Sequence, residues 1–397
     1  MSQLASTSST MYKQNYSLMT AILFWCGLVV VSSLYLTIPL ISIFADNFNI
    51  TAAQAAWTGS SFSLFYAVGF LFFGPLSDRY GRKQIILFGL ITLTIISPIL
   101  GFVDSFPTLI ILRSVQGIAA ATFAPSALAY AVEMFPTEKR VTAIGFVSTG
   151  FLMAGIVGQV FASFISQQFG WQSVFYTLGV VYMFTAILAT LFIPKDDNSN
   201  KKGSLLTAFK QMRAVLMKKT LLLCYVITIT LLLSFVGMYT ALGNYLSVEF
   251  SLSNQEILYV RSVGIVGMLL SPFAGKLVAT FGIHNVLRGG VTLAVLGLAI
   301  IGISTNLSFL IIMSVIFVAG ISITVPTLIS LIGQLSGEVR GAAVSLYTFI
   351  LFIGASLGPI VSVWFLKTGS YLLTFELLAL LLGIGLPVSF FIKPAKN

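Results

Sequence analysis

Charge is what this chain has least of. Only 8% of its 397 residues are Asp, Glu, Lys or Arg, where a soluble domain carries about a quarter, so water cannot be the solvent for most of it. One His, two Cys and 11 Asp plus Glu are too few to furnish a metal cluster or a catalytic triad. An enzyme is therefore not expected, nor a bound cofactor, and transport is the default. Cys26 and Cys224 fall inside long apolar runs, which argues for inert buried thiols over a disulfide or a redox role. The first 18 residues, polar and rich in Ser and Thr, lack the compact charged, apolar and small-residue pattern of a cleaved signal peptide. The apolar segment Leu18 to Phe44 is read as a retained first span.

What remains is apolar: 57% of residues are hydrophobic and 13% aromatic. At roughly 20 apolar residues per membrane helix plus a short loop, on the order of 33 residues per unit, the chain has room for about twelve spans and little else. Its 34 glycines and its aromatics suit close helix packing and interfacial anchoring better than a barrel of short alternating strands. Apolar runs interrupted by charges and Gly or Pro clusters predict spans at 19–45, 55–77, 84–103, 108–132, 141–165 and 172–193. A second set follows at 220–247, 255–277, 286–304, 308–332, 341–366 and 371–392. The expected fold class is an all-α membrane protein of two six-helix bundles, 1–193 and 220–397, joined by a polar linker, 194–219.

Orientation follows from the basic residues, which concentrate in cytoplasmic loops. With the N-terminus inside, 18 of the 21 Lys and Arg fall on the cytoplasmic side: Lys13; Arg79, Arg82 and Lys83; Lys139 and Arg140; the linker; Lys276 and Arg288; Arg340; Lys393 and Lys396. Lys367 is outside, and Arg113 and Arg261 lie within spans. Both termini are expected in the cytoplasm. The net charge of +10 is explained by this topology and by anionic inner-leaflet lipid, leaving no reason to invoke nucleic acid.

The halves repeat. Shifting the sequence by 201 places Gly74-Pro-Leu76 and Tyr80-Gly81 over Gly275-Lys-Leu277 and Phe281-Gly282. A shift of 200 places Glu138, Arg140, Ala143 and Gly158 over Glu338, Arg340, Ala343 and Gly358. Such recurrence points to parallel copies related by an axis along the membrane normal.

Residues 74–83, GPLSDRYGRK, resemble the G-x-L-x-D-R-x-G-R-K signature of the major facilitator superfamily. Leu109 to Ala121, LIILRSVQGIAAA, is similar to that family's Arg-containing motif, with Arg113, Gln116 and Gly117 in register. Gly150, Gly155 and Gly158 resemble its glycine-rich antiporter motif, but the Gly-Pro of that motif is Gly158-Gln159 here and its terminal Gly pair is Ala162-Ser163. Gly354, Gly358 and Pro359 preserve the pattern better in the second half. The resemblance spans the whole chain and is nearest the twelve-span drug:proton antiporters. It implies the major facilitator fold, with two pseudo-symmetric bundles rocking around a central site.

Within the first motif, Gly74 and Gly81 permit close packing and a tight turn, and Asp78 can sit at the positive end of a neighbouring helix. Arg79 and Arg82 can reach Glu133, with Arg140 completing a network. The alternative is that these groups only anchor loops to lipid headgroups. Arg113 and Arg261 are costly inside a membrane and are functional candidates by default. The alternatives are hydrogen bonds to helix carbonyls for Arg113, and snorkelling or pairing with Glu256 for Arg261. Glu376, inside the last span, and Asp46, at the outer end of the first, are the candidate proton carriers, since a carrier needs a carboxylate tuned by burial. The resemblance puts helices 1, 4, 7 and 10 around the cavity, which adds Tyr35, Asn244, Tyr245 and Gln334 as weaker binding candidates. Phe235 is read as packing and His284 as a solvated loop residue.

These residues lead to a secondary transporter of the cytoplasmic membrane that works by alternating access, as a monomer. Its partners are a small molecule, protons and the bilayer. Two intramembrane arginines against one clear carboxylate favour proton-driven export of a carboxylate-bearing or zwitterionic metabolite, such as an amino-acid-derived metallophore. Multidrug efflux is the alternative, and a proton-coupled uptake symporter the third reading.

Overall fold

The computed structural model describes residues 15–196, 205–303 and 306–392. Among them there is no strand. Twelve helical segments are long and apolar enough to cross a membrane, as they must be where no water can satisfy an open backbone. They are α1 (Tyr16–Asn47), α2 (Trp57–Tyr80), α3 (Arg82–Leu100), α4 (Phe106–Met134), α5 (Thr137–Phe169) and α6 (Trp171–Phe192). The second set is α7 (Lys219–Glu249), α8 (Asn254–Phe281), α9 (Ile283–Ile301), α10 (Leu307–Leu335), α11 (Arg340–Leu366) and α12 (Tyr371–Phe390). A short linker helix, Leu205–Leu216, precedes α7. Cys26 and Cys224 are free and buried.

The repeat is visible in the backbone. Gly81, with φ +99°, ends α2 and starts α3; Gly282, with φ +80°, does the same between α8 and α9. A side chain is strained in this left-handed region, so the same tight reversal recurs at the 201-residue interval. Helix pairs repeat too: α1 packs on α5 as α7 packs on α11, and α3 on α6 as α9 on α12. The first pairing depends on small residues. A Cβ at Gly158 would lie 2.6 Å from the Ser32 carbonyl oxygen of α1, and one at Gly358 would lie 2.7 Å from the Leu233 carbonyl oxygen of α7. Backbones this close supply the dispersion contact that holds helices together where lipid removes the hydrophobic drive.

The two halves meet at the face carrying the basic loops, where α2 packs on α11 and α5 on α8 and α10. Gly74 lies against Ser345, Gly275 against Thr142, and Gly145 against the Ser271 carbonyl. Deeper in, Tyr66 of α2 stacks edge-on against Phe352 of α11 at 5.1 Å, and Thr149 Oγ1 donates to the Met268 carbonyl at 3.2 Å. The halves are thus joined at the basic face and through the middle.

Candidate functional site

The joined end is built around one buried cation. Arg82, 1% exposed, pairs with Asp78 and with Glu133, whose Oε1 lies 2.9 Å from Nη2. Its Nη1 donates to Ser77 Oγ at 2.5 Å and to the Gly74 carbonyl at 3.3 Å. A charge this deep is tolerable only with its partners in place. Asp78 lies against Gly341, where a methyl group would collide with the carboxylate. Gly341 is the second residue of α11, so the acid of one half sits at the positive end of a helix of the other. Glycine is required there by the approach of the carboxylate, not by backbone conformation.

Two expected members lie outside this cluster. Arg79 is exposed and stacks over the Tyr80 ring at 5.2 Å, because the helix turns it away from Glu133. Arg140 donates to the Phe135 carbonyl at 3.3 Å, is near enough to Arg340 to repel it, and keeps its buried Nε unpartnered. Asp196 was not anticipated. Its carboxylate accepts from the backbone N–H groups of Arg82 at 2.7 Å and Lys83 at 3.3 Å, capping α3. The PKDD run after the sixth span was the available signal.

Arg113 is fully buried, and its fork is consumed within its own half. Nε donates to the Thr58 carbonyl at 3.1 Å, Nη2 to the Ser33 carbonyl at 3.0 Å and Nη1 to Gln116 Oε1 at 2.5 Å. Phe62 covers one face at 4.4 Å. Gln116 passes the network to Ser97 at 3.0 Å. The carbonyl alternative therefore describes Arg113 as it stands: it ties α4 to α1 and α2.

Between the joined end and the opposite face the halves enclose a cavity of about 240 Å³. Tyr35 and Gln159 line it from the first half, and Tyr239, Thr240 and Arg261 from the second, over a mostly aliphatic and aromatic wall that includes Phe235. Arg113 is not among the lining residues. Arg261 donates through Nη2 to the Tyr239 carbonyl at 2.9 Å, while its Nε is buried without a partner, as is the Tyr239 hydroxyl. Pairing with Glu256 does not occur, because that carboxylate closes a capping box on Ser253 at 2.8 Å. No carboxylate lines the cavity. Arg261 is thus a partly satisfied arginine beside an apolar cavity whose lining residues include no carboxylate.

The other candidates sit elsewhere. Asn244 accepts from the Tyr371 hydroxyl at 2.9 Å, and the Tyr245 ring lies 4.4 Å from that of Tyr371. Both face α12 instead of the cavity, a matter of helix rotation. Glu376 is half-buried and Asp46 exposed, and neither lines the cavity. Gln334 is exposed. His284 is not solvated as expected: it is half-buried in the first turn of α9, with Nε2 unpartnered. Gln159, Tyr239 and Thr240 were missed. Gln159 replaces the proline of the antiporter pattern, and that departure was itself the signal, since its repeat partner Pro359 also lines the cavity.

Twelve spans, a repeated tight turn and a buried charge cluster joining two bundles are matched by sequence comparison. The profile described as Major Facilitator Superfamily matches residues 23–359 and, in a second match, 228–397. The chain belongs to that superfamily. As a member it is similar to an uncharacterized transporter of Buchnera aphidicola subsp. Schizaphis graminum, at 27% identity over 84% of this chain and 81% of that one. It is also similar to the multi-drug resistance efflux pump PmrA of Streptococcus pneumoniae, at 30% identity over 66% of this chain and 62% of the pump. Among solved structures, this superfamily member resembles the Escherichia coli fucose:proton symporter FucP with a TM-score of 0.77 and 16% identity, over 96% of this chain and all of that one. That likeness concerns the fold. The protein is a multi-pass membrane transporter.

Proposed function

We propose that the transporter exports a small carboxylate-bearing or zwitterionic metabolite with an apolar body, using the proton gradient and no bound cofactor. Amino-acid-derived metallophores fall in this class. Arg261 carries the reading: it is the cationic side chain of an otherwise uncharged cavity, and a carboxylate would satisfy its open edge with a charge-assisted, fork-shaped hydrogen bond. The Tyr239 hydroxyl would supply a further donor, and Phe235 and its aliphatic neighbours would take the apolar part of the ligand.

The excess of basic residues on the joined face supports a cytoplasmic location for that face and for both termini, and the cavity would then belong to the outward-facing state. Because no carboxylate lines the cavity, proton and ligand act at separate sites, and Glu376 is the carrier favoured here over exposed Asp46. The mostly apolar wall and the multidrug relatives favour a second reading, efflux of lipophilic drugs.

Purified protein in proteoliposomes with an imposed pH difference separates the two. Accumulation of lipophilic carboxylates, lost in Arg261→Ala and uncoupled from the pH difference in Glu376→Gln, is the expected result. Transport of permanent organic cations that survives Arg261→Ala would replace the anion reading with multidrug efflux. Coupling retained in both Glu376→Gln and Asp46→Asn would remove both carboxylates as proton carriers.

A further inference from the structure

A second concavity lies on the lipid-facing side of the first bundle, away from the transport cavity. It is a groove of about 340 Å³ between α3 and α6, floored by Ala186 and walled by Ile91, Ile95, Met183, Ile187 and Leu191. These walls are open to the bilayer, with Ile95 58% and Leu191 68% exposed. Residues 183–191 put its length at roughly 12 Å, at 1.5 Å per helical residue. The groove ends at the basic face: Thr190, which lines it, accepts from Lys83 Nζ at 2.7 Å. Lys195, exposed just beyond α6, is the chain neighbour of Asp196, whose carboxylate accepts from the Lys83 backbone N–H at 3.3 Å.

Two like charges therefore lie at the headgroup end of an acyl-sized groove. Among the described residues neither lysine is in an ion pair. The nearby acid, Asp196, turns its carboxylate to the backbone N–H groups of Arg82 and Lys83. Lys83 spends one of its three N–H donors on Thr190 and keeps two.

We propose that this groove binds one anionic phospholipid from the leaflet on the basic face, with an acyl chain between α3 and α6 and the phosphate bridging Lys83 and Lys195. The phosphate relieves the repulsion between the lysines, and the chain covers the open wall. A zwitterionic lipid could fill the groove but would not neutralise the pair.

The test is retention of lipid by the full-length protein, read by native mass spectrometry after delipidation and incubation with equal amounts of dioleoyl-phosphatidylglycerol and dioleoyl-phosphatidylcholine. One phosphatidylglycerol should be retained in preference by roughly thirtyfold, the scale set by two lysines at a lipid surface. Lys83→Gln with Lys195→Gln should bring the ratio near unity while some lipid of both kinds stays bound. Lys195→Gln alone, beyond the end of α6, should lower the ratio with no risk to the helix. Ala186→Trp should fill the groove and reduce retention of both lipids. A wild-type ratio of one, or a preference untouched by the lysine variants or by Ala186→Trp, overturns the proposal. So does displacement of the bound species by inorganic phosphate alone, which would make the lysines a free-phosphate site.

Discussion

The two halves share a backbone plan and differ in where they keep charge. In the first half, Asp78, Arg82 and Glu133 form a buried cluster that reaches across to α11. At the 201-residue interval the second half has Ala279, Ile283 and Gln334 in their place. Even the receiving position has diverged, since Gly341, which admits the Asp78 carboxylate, corresponds at the 200-residue interval of α5 and α11 to Val141. Both halves contribute helix contacts at the joined face, but only the first adds a buried ion cluster, and its Asp78 reaches the start of α11 in the other half. Burying three charges together is acceptable; removing one of them is costly. The first half therefore carries the ion cluster of the joined face, and the second half meets it without one.

The arginines repeat the contrast. Arg113 is consumed by carbonyls of its own half, whereas Arg261, beside the cavity, holds one carbonyl and keeps a buried Nε without a partner. One is tied into its own half, and the other is the group proposed to bind the ligand.

The largest expected effect comes from breaking the charged side. Arg82→Gln strands two carboxylates, a loss of about 3 to 5 kcal/mol, and should nearly abolish turnover in proteoliposomes. Asp78→Asn and Gly74→Leu should also stop turnover while leaving ligand affinity within a few-fold. Ile283→Gln, at the equivalent place in the second half, should keep transport near wild type. Equal damage on both sides would dissolve the contrast.

Next in size is the pair of arginines. Arg261→Ala should weaken binding of a carboxylate ligand by about 2 to 5 kcal/mol, and Arg261→Lys by less, because a point charge replaces a fork. Arg113→Ala should instead lower the melting temperature, since it leaves the Ser33 and Thr58 carbonyls without their buried donor. Binding titrations and thermal melts on the same preparations distinguish these outcomes. A melting temperature unchanged by Arg113→Ala would contradict its structural role.

The smallest effect tests what the halves have in common. Gly158→Ala and Gly358→Ala each push a methyl group against a backbone carbonyl, and each should cost about 1 to 3 kcal/mol. Similar losses in thermal melts would show that the repeat is energetic as well as geometric; a marked difference would confine it to shape.

Much of this was legible in the chain before any coordinates. Twelve apolar runs become twelve helices because a membrane leaves the backbone no alternative, and their predicted ends fall within a few residues of those observed. The pairing of Arg82 with Glu133, and the placement of Asp78 at a helix start, were also accessible, since they join motif residues near helix ends at one face. Rotation was not. Arg113, Asn244 and Tyr245 lie in the right spans, but the angle at which each helix packs turns them toward carbonyls or toward α12. Gln159, Tyr239 and Thr240 are turned into the cavity instead. Composition and periodicity determine which segments cross the bilayer and which face holds positive charge, because transfer of each residue between water and lipid is a local quantity. Only the tertiary structure decides which buried polar group is already satisfied and which is left open for a ligand, because that depends on carbonyls and carboxylates contributed by helices far apart in the chain.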